Sequence, residues 1–203
     1  TGNASLFGNY LVLARMPIIY YGVLCAYLSS LPISLTMSFY PLLLKFQGFS
    51  AEVSGVLLAL RAVGGIATGL LVARFVRTGP ASPWPVIAGA CTALGVTLQP
   101  LVDNAAVVGC LLFALGVGTS LQNIYFQVTL AEVVEPRMRG SAMALAGMGW
   151  GLSHLSTPLA MGFVSDRYGI PAAFYFIGGF TLVVVGGLAI LRRWAFSRTK
   201  LAS

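Results

Sequence analysis

The chain has 203 residues, of which 58% are hydrophobic and 8% are charged, and its mean hydropathy is +0.89. Soluble domains carry about 25% charged residues. These charges are too few to cover a surface exposed to water, so the composition excludes a soluble globular protein. It indicates a polytopic membrane protein whose surface is covered by lipid.

The net charge of +7 would favour nucleic-acid binding if the basic residues formed one surface. They lie instead around six apolar runs: 16–44, 53–73, 78–102, 104–131, 140–165 and 168–191. With a cytoplasmic N-terminus, the inner segments hold nine basic residues: Arg15, Arg74, Arg77, Arg137, Arg139, Arg192, Arg193, Arg198 and Lys200. The outer segments hold only Lys45 and Arg167. This asymmetry predicts a protein of the cytoplasmic (inner) membrane with both termini of this segment inside, and no nucleic-acid partner.

The opening residues lack an initiator Met and the charged-then-apolar order of a signal peptide. We interpret 1–16 as the end of a cytoplasmic linker and expect the chain to begin within a longer protein. Cys25, Cys91 and Cys110 fall in different runs, without disulfide or metal-ligand spacing. We expect them to pack as small apolar side chains, and neither a cofactor nor a metal site is predicted.

The first predicted span, 17–44, is unusually polar in its middle. Pro32 frees a backbone carbonyl there and predicts a bend, and hydroxyl groups surround it at Ser29, Ser30, Ser34, Thr36 and Ser38. Such hydroxyls bond either their own helix or a neighbouring one. Because lipid does not accommodate so polar a strip, we expect this helix to line a cavity.

Arg61 lies near the midpoint of the second predicted helix, 51–73. An arginine at the centre of a membrane helix costs about 2.5–3.5 kcal/mol on insertion scales. A carboxylate, an aqueous cavity or an anionic substrate would offset that cost. The alternative is a structural ion pair or a bond to helix carbonyls. We predict that Arg61 binds substrate.

The third predicted helix is apolar and peripheral, whereas the fourth carries a polar row. Thr119, Asn123 and Gln127 recur every four residues and therefore share one helix face. A hydroxyl and two uncharged amides in a row either bind helices together or face a wet cavity. We predict that all three contribute to substrate binding.

The fifth predicted span, 140–165, contains no acidic or fully cationic side chain and is long enough to cross a bilayer core of about 30 Å. Near its middle lies His154, which is either a hydrogen-bonded packing residue or a proton carrier or substrate ligand, because imidazole changes charge near neutral pH. We predict substrate binding and proton coupling at His154. The last span, about 171–191, is predicted to face lipid, and 195–203 is a basic cytoplasmic tail.

One spacing occurs twice, as Gly69-x-x-x-Ala73-Arg74 and as Gly162-x-x-x-Asp166-Arg167. Each copy ends the middle helix of a three-helix unit, and an odd number of crossings per unit inverts one unit relative to the other. The sequence therefore predicts two inverted repeats, 17–101 and 102–194. In transporters built this way the site lies near the midplane, where the repeats meet.

At these residues the sequence resembles the major facilitator superfamily. The loop after the second helix matches that family's G-x-x-x-D-[RK]-x-G-[RK] signature at Gly69, Arg74 and Arg77, while Ala73 and Val76 replace its Asp and second Gly. The loop E-P-R-M-R-G and the ending G-x-x-x-D-R-x-G resemble the family's C-terminal half. The resemblance implies an all-α membrane protein of six transmembrane helices, equivalent to half of a twelve-helix transporter. Its partner would be the N-terminal six-helix half or a second copy.

The resemblance further implies alternating access, with the first, second, fourth and fifth spans around a central cavity and the third and sixth flanking it. The gating loops would contain six residues: Gly69, Arg74, Arg77, Gly162, Asp166 and Arg167. The function expected is that of a permease, a secondary active transporter that moves a small solute across the cytoplasmic membrane. Uptake or efflux, symport or antiport, and the solute itself are left open.

Two other functions were weighed. A transport-inactive receptor or assembly factor of the same fold would act through its loops, which are short here. An intramembrane enzyme needs a nucleophile–base pair or a metal cluster. One histidine without a membrane carboxylate offers neither, so no catalytic residues are predicted.

Overall fold

The computed structural model describes residues 10–75 and 82–197, with side chains for all of these except 72–75 and 195–197. Within these ranges the chain is helical and contains no strand. Its main helices are α1 (Pro17–Ser38), α2 (Tyr40–Phe46), α3 (Ala51–Phe75), α4 (Trp84–Leu98), α5 (Ala105–Val133), α6 (Arg139–Tyr168) and α7 (Ile170–Ser197). Short 3₁₀ turns, Gln99–Leu101 and Pro136–Met138, follow α4 and α5. Most of the predicted linker, Arg77 and the end of the basic tail lie outside the described residues.

The predicted span 17–44 is divided into two helices. Pro32 lies inside α1, but α1 ends at Ser38, and Phe39, with φ −110° and ψ −24°, is a single turn residue in the right-handed helical region between the two helices. Pro41 lacks a backbone N–H and is tolerated in the first turn of a helix, so it starts α2 and does not extend α1. The prediction of one continuous element was therefore wrong at this joint.

Five of the described helical segments are long and apolar enough to cross a membrane: Pro17–Ser38, Ala51–Leu71, Trp84–Leu101, Ala105–Val133 and Ile170–Trp194. α6 has 30 residues and is not among them. Its glycine, serine and threonine residues lower its mean hydropathy, although no charged side chain interrupts 140–165. The sixth crossing, at α6, stays a prediction.

α1 and α5 occupy the middle of the bundle. The most extensive contacts of α1 are with α6, and the most extensive contacts of α3 are with α5. α1 and α5 also pack against each other. Of the apolar window of α1, 78% is buried, against 17% for α3, so α3 lies at the margin. α4 packs on α5 and on α7.

Glycines allow the two largest helix contacts. A Cβ atom added at Gly149 of α6 would collide with the carbonyl of Val23 in α1, and one at Gly116 of α5 with the carbonyl of Arg61 in α3. Backbones approach this closely in membrane helices where small residues form the interface. The glycines thereby bring Arg61 and the middle of α6 next to the two central helices.

Candidate functional site

A row of polar contacts joins the middle of α1 to the middle of α6. Nδ1 of His154 lies 2.6 Å from Oγ of Ser30 and 3.0 Å from the carbonyl oxygen of Trp150. Nε1 of Trp150 donates to Oγ of Ser29 at 3.0 Å. Tyr27 and Ser156 share a hydroxyl–hydroxyl bond of 2.9 Å. We call this row the α1–α6 polar seam; it consists of Tyr27, Ser29, Ser30, Trp150, His154 and Ser156.

The seam leaves one nitrogen of His154 available. The Trp150 carbonyl accepts but does not donate, so that contact forms only when Nδ1 carries a proton. Nε2 is then a free acceptor in the neutral ring and a second donor in the charged ring. It has no hydrogen-bond partner among the described residues, and the side chain is exposed while Ser29 and Ser30 are buried. The geometry is that of a histidine held at one nitrogen and accessible at the other.

Arg61 has buried hydrogen-bonding capacity without a partner. Its side chain is half-buried, and Nε makes no hydrogen bond within the described part of the chain. The guanidinium lies near Tyr40 of α2, whose own hydroxyl is fully buried and likewise has no hydrogen-bond partner there. No described carboxylate pairs with Arg61. The two side chains therefore present unused donors in the same region of the bundle.

The polar row of α5 passes from the interior to the surface. Thr119 is buried, and its hydroxyl donates to the Leu115 carbonyl at 2.8 Å within the same helix. Asn123 is half-buried and accepts from Nε2 of the exposed Gln127 at 3.1 Å. The row thus offers Asn123 and Gln127 to a ligand more directly than Thr119, whose proton is already used.

The described contacts do not join all the predicted site residues. His154 is held by α1, whereas Arg61 lies between α2 and α5, and no hydrogen bond between described residues links either one to the α5 row. Sequence reasoning missed Tyr40 and the buried Gln122, which donates to the Pro85 carbonyl at 2.7 Å and fastens α5 to α4. A tyrosine beside a proline, or one amide in an apolar run, gave no periodic signal that would have found them.

The predicted gating residues are described fully on the α6 side and in part on the α3 side. Gly162 lies within α6, and the guanidinium of Arg167 lies over the ring of Phe163, 3.9 Å from its centroid. Asp166 is exposed near the end of the helix. Gly69 is exposed in α3, while the side chain of Arg74 and all of Arg77 lie outside the described part.

A bundle of several helices long and apolar enough to cross a membrane is the architecture of a multi-pass membrane protein. The sequence pattern of the Major Facilitator Superfamily matches residues 22–201, which is most of the chain. The chain therefore belongs to the major facilitator superfamily, a superfamily of transporters. A search among curated proteins finds no match.

Proposed function

We propose that this chain is one six-helix half of a secondary active transporter that moves a small solute across the cytoplasmic membrane by alternating access. The observation that carries the proposal is the pair of unused donors at Arg61 and Tyr40. A buried donor without an acceptor costs about 1–3 kcal/mol. An acceptor brought by a solute would remove that cost, and so would a carboxylate of the second half.

The helix contacts support an arrangement of two inverted repeats. Exchanging the two repeats replaces α1 by α5 and α6 by α3. The contact of α1 with α6 then becomes the contact of α5 with α3, and these are the two most extensive contacts in the bundle. In this arrangement α6 is the sixth crossing, and both ends of the segment face the cytoplasm, as the distribution of basic residues favours.

The solute class that fits Arg61 is one with an anionic or strongly hydrogen-bond-accepting group. Asn123 and Gln127 would supply neutral hydrogen bonds, with Thr119 lining the inner part of the row. His154 would couple transport to protons through its free Nε2. The gating role stays with the two predicted loops, which contain Gly69, Arg74, Arg77, Gly162, Asp166 and Arg167.

A second six-helix unit would complete the central transport cavity. α3 and α6 expose large apolar side chains along much of their length, among them Ile66, Leu70, Leu155 and Leu159. Part of that surface would face lipid. The remainder would face the N-terminal half of the transporter or a second copy of this chain.

The test is transport by the intact protein in proteoliposomes. Uptake and efflux of a panel of radiolabelled organic anions, cations and neutral solutes are measured with and without an imposed pH gradient. Movement of none of these solutes would contradict the proposal. The Arg61→Ala variant is compared with Arg193→Ala, an exposed arginine near the end of α7. Selective loss of anion transport in Arg61→Ala alone is expected.

A further inference from the structure

A cavity of about 790 Å³ opens at the end of the bundle where α6 meets α7. α2 contributes Leu42 and Phe46 to its lining. The α6–α7 turn and the first turns of α7 supply the rest, mainly Ser165, Asp166, Tyr168, Ile170, Pro171 and Tyr175. The lining is predominantly apolar and contains a single ionisable carboxyl group. The transport proposal makes no use of this cavity as a binding site.

The carboxylate of Asp166 is not neutralised by its neighbours. It has no ion pair and no hydrogen bond to a described side chain. The adjacent guanidinium of Arg167 is held 3.9 Å from the centroid of the Phe163 ring. The nearest cation in the sequence is therefore engaged elsewhere, and Asp166 lies beside the cavity without a cationic partner among the described residues.

Three aromatic rings line the same cavity as this carboxylate. Phe46, Tyr168 and Tyr175 all line the cavity and are 65%, 73% and 40% exposed. Aromatic faces attract ammonium groups through the ring quadrupole, and quaternary ammonium ligands are held by such rings. One unpaired carboxylate among three exposed rings is a set of side chains suited to an organic ammonium group.

The position of the cavity favours an amphiphilic ligand. It lies at the ends of apolar helices, which is the depth of the lipid headgroups in a membrane protein. Leu42 and Ile170 provide apolar surface for an acyl chain. Lys45 is exposed one helical turn after Leu42, where it suits a phosphate. The basic side chain of Lys45 and the carboxylate of Asp166 match the opposite charges of a headgroup that carries both a phosphate and an ammonium.

We propose that this cavity binds a phospholipid whose headgroup ends in an ammonium group, with that group between Asp166 and the rings of Phe46, Tyr168 and Tyr175. The phosphate lies towards Lys45, and an acyl chain lies along Leu42 and Ile170. The proposal needs membrane embedding but not transport activity. It stands or fails separately from the proposed function.

Native mass spectrometry of the intact protein in detergent tests the proposal, with phosphatidylethanolamine, phosphatidylcholine and phosphatidylglycerol titrated in turn. Retention of the two ammonium lipids over phosphatidylglycerol is expected. Asp166→Asn should weaken retention of the ammonium lipids roughly fivefold, the size of an exposed ion pair. The matched control is Asp103→Asn, since Asp103 is an exposed carboxylate outside the cavity lining.

Two results would overturn the proposal. One is equal retention of phosphatidylglycerol, and the other is an Asp166→Asn protein that retains ammonium lipids as the parent does. Tyr168→Ala gives a second reading, because this side chain is largely exposed and its loss should weaken ammonium-lipid retention without unfolding the bundle. A further arm adds soluble tetramethylammonium. Binding of that cation at Asp166 without any lipid preference would assign the site to a free cation and contradict a lipid site.

Discussion

Nδ1 of His154 lies 2.6 Å from Oγ of Ser30, across 124 residues of sequence, and joins the middle of α6 to the middle of α1. The second ring nitrogen has no described partner. A histidine anchored at Nδ1 in this way leaves Nε2 accessible to a proton or a ligand while the helix contact stays in place.

Replacing His154 by Gln should remove a pH dependence of transport. Protonation of an imidazole adds one positive charge to the site. The added positive charge favours an anionic solute, so KM is expected to rise as pH increases. In His154→Gln this rise should disappear. The measurement is KM against pH at fixed membrane potential, and an unchanged slope would remove His154 from coupling. Ser38→Ala serves as the control, because Ser38 bonds only within α1.

Tyr40→Phe should separate binding from stability. The hydroxyl is buried without a hydrogen-bond partner in the described chain, so its removal should leave the free energy of unfolding unchanged or raise it by about 1 kcal/mol. KM for an anionic solute should increase if the hydroxyl donates to it. Transport kinetics and denaturant unfolding of the same preparation check both points. Lower stability together with unchanged KM would show that the hydroxyl has a structural partner.

Gly149→Ala should destabilise the contact between α1 and α6. The added Cβ meets the Val23 backbone carbonyl, which moves only with its helix, and overpacking of this kind costs about 1–3 kcal/mol. Gly147→Ala is the matched control in the same helix, because a Cβ there meets nothing within 4 Å. That change should be neutral or stabilising. Equal unfolding free energies for the two variants would contradict the close packing.

A double-mutant cycle on Trp150 and Ser29 should detect their hydrogen bond. Trp150→Phe removes the indole N–H, and Ser29→Ala removes its acceptor. The two effects on the unfolding free energy should be non-additive by about 1 kcal/mol, the net value of one such bond. Additive effects would mean that the bond does not contribute to stability.

The broad architecture was predictable because hydropathy and charge placement act over whole helices. The apolar runs located α1, α3, α4, α5 and α7, and the scarcity of charge excluded a soluble protein. The break at Phe39 was not predicted, because the apolar run is continuous there. The signal that marks it is Pro41, which lies in the first turn of a new helix. α6 is less apolar than its lack of charge suggested, because glycine and hydroxyl residues count against hydropathy.

The site was predictable only as a set of residue types. The positions of Arg61 and His154 mark them as costly within a membrane, but their partners follow from packing between distant segments. Ser30 meets His154 because Gly149 lets α1 and α6 approach, and Tyr40 reaches Arg61 because α2 packs against α3. Periodicity finds neighbours along one helix, as it did for Asn123 and Gln127, and is silent about neighbours on another.

Gly169 is the only residue between α6 and α7, and it holds φ 85° and ψ 164°, a conformation that is essentially restricted to glycine. A joint this short leaves no slack for one helix to slide past the other. Any rocking motion must therefore move the adjoining ends of α6 and α7 together. His154 in the middle of α6 and Asp166 near its end would then change position in the same motion.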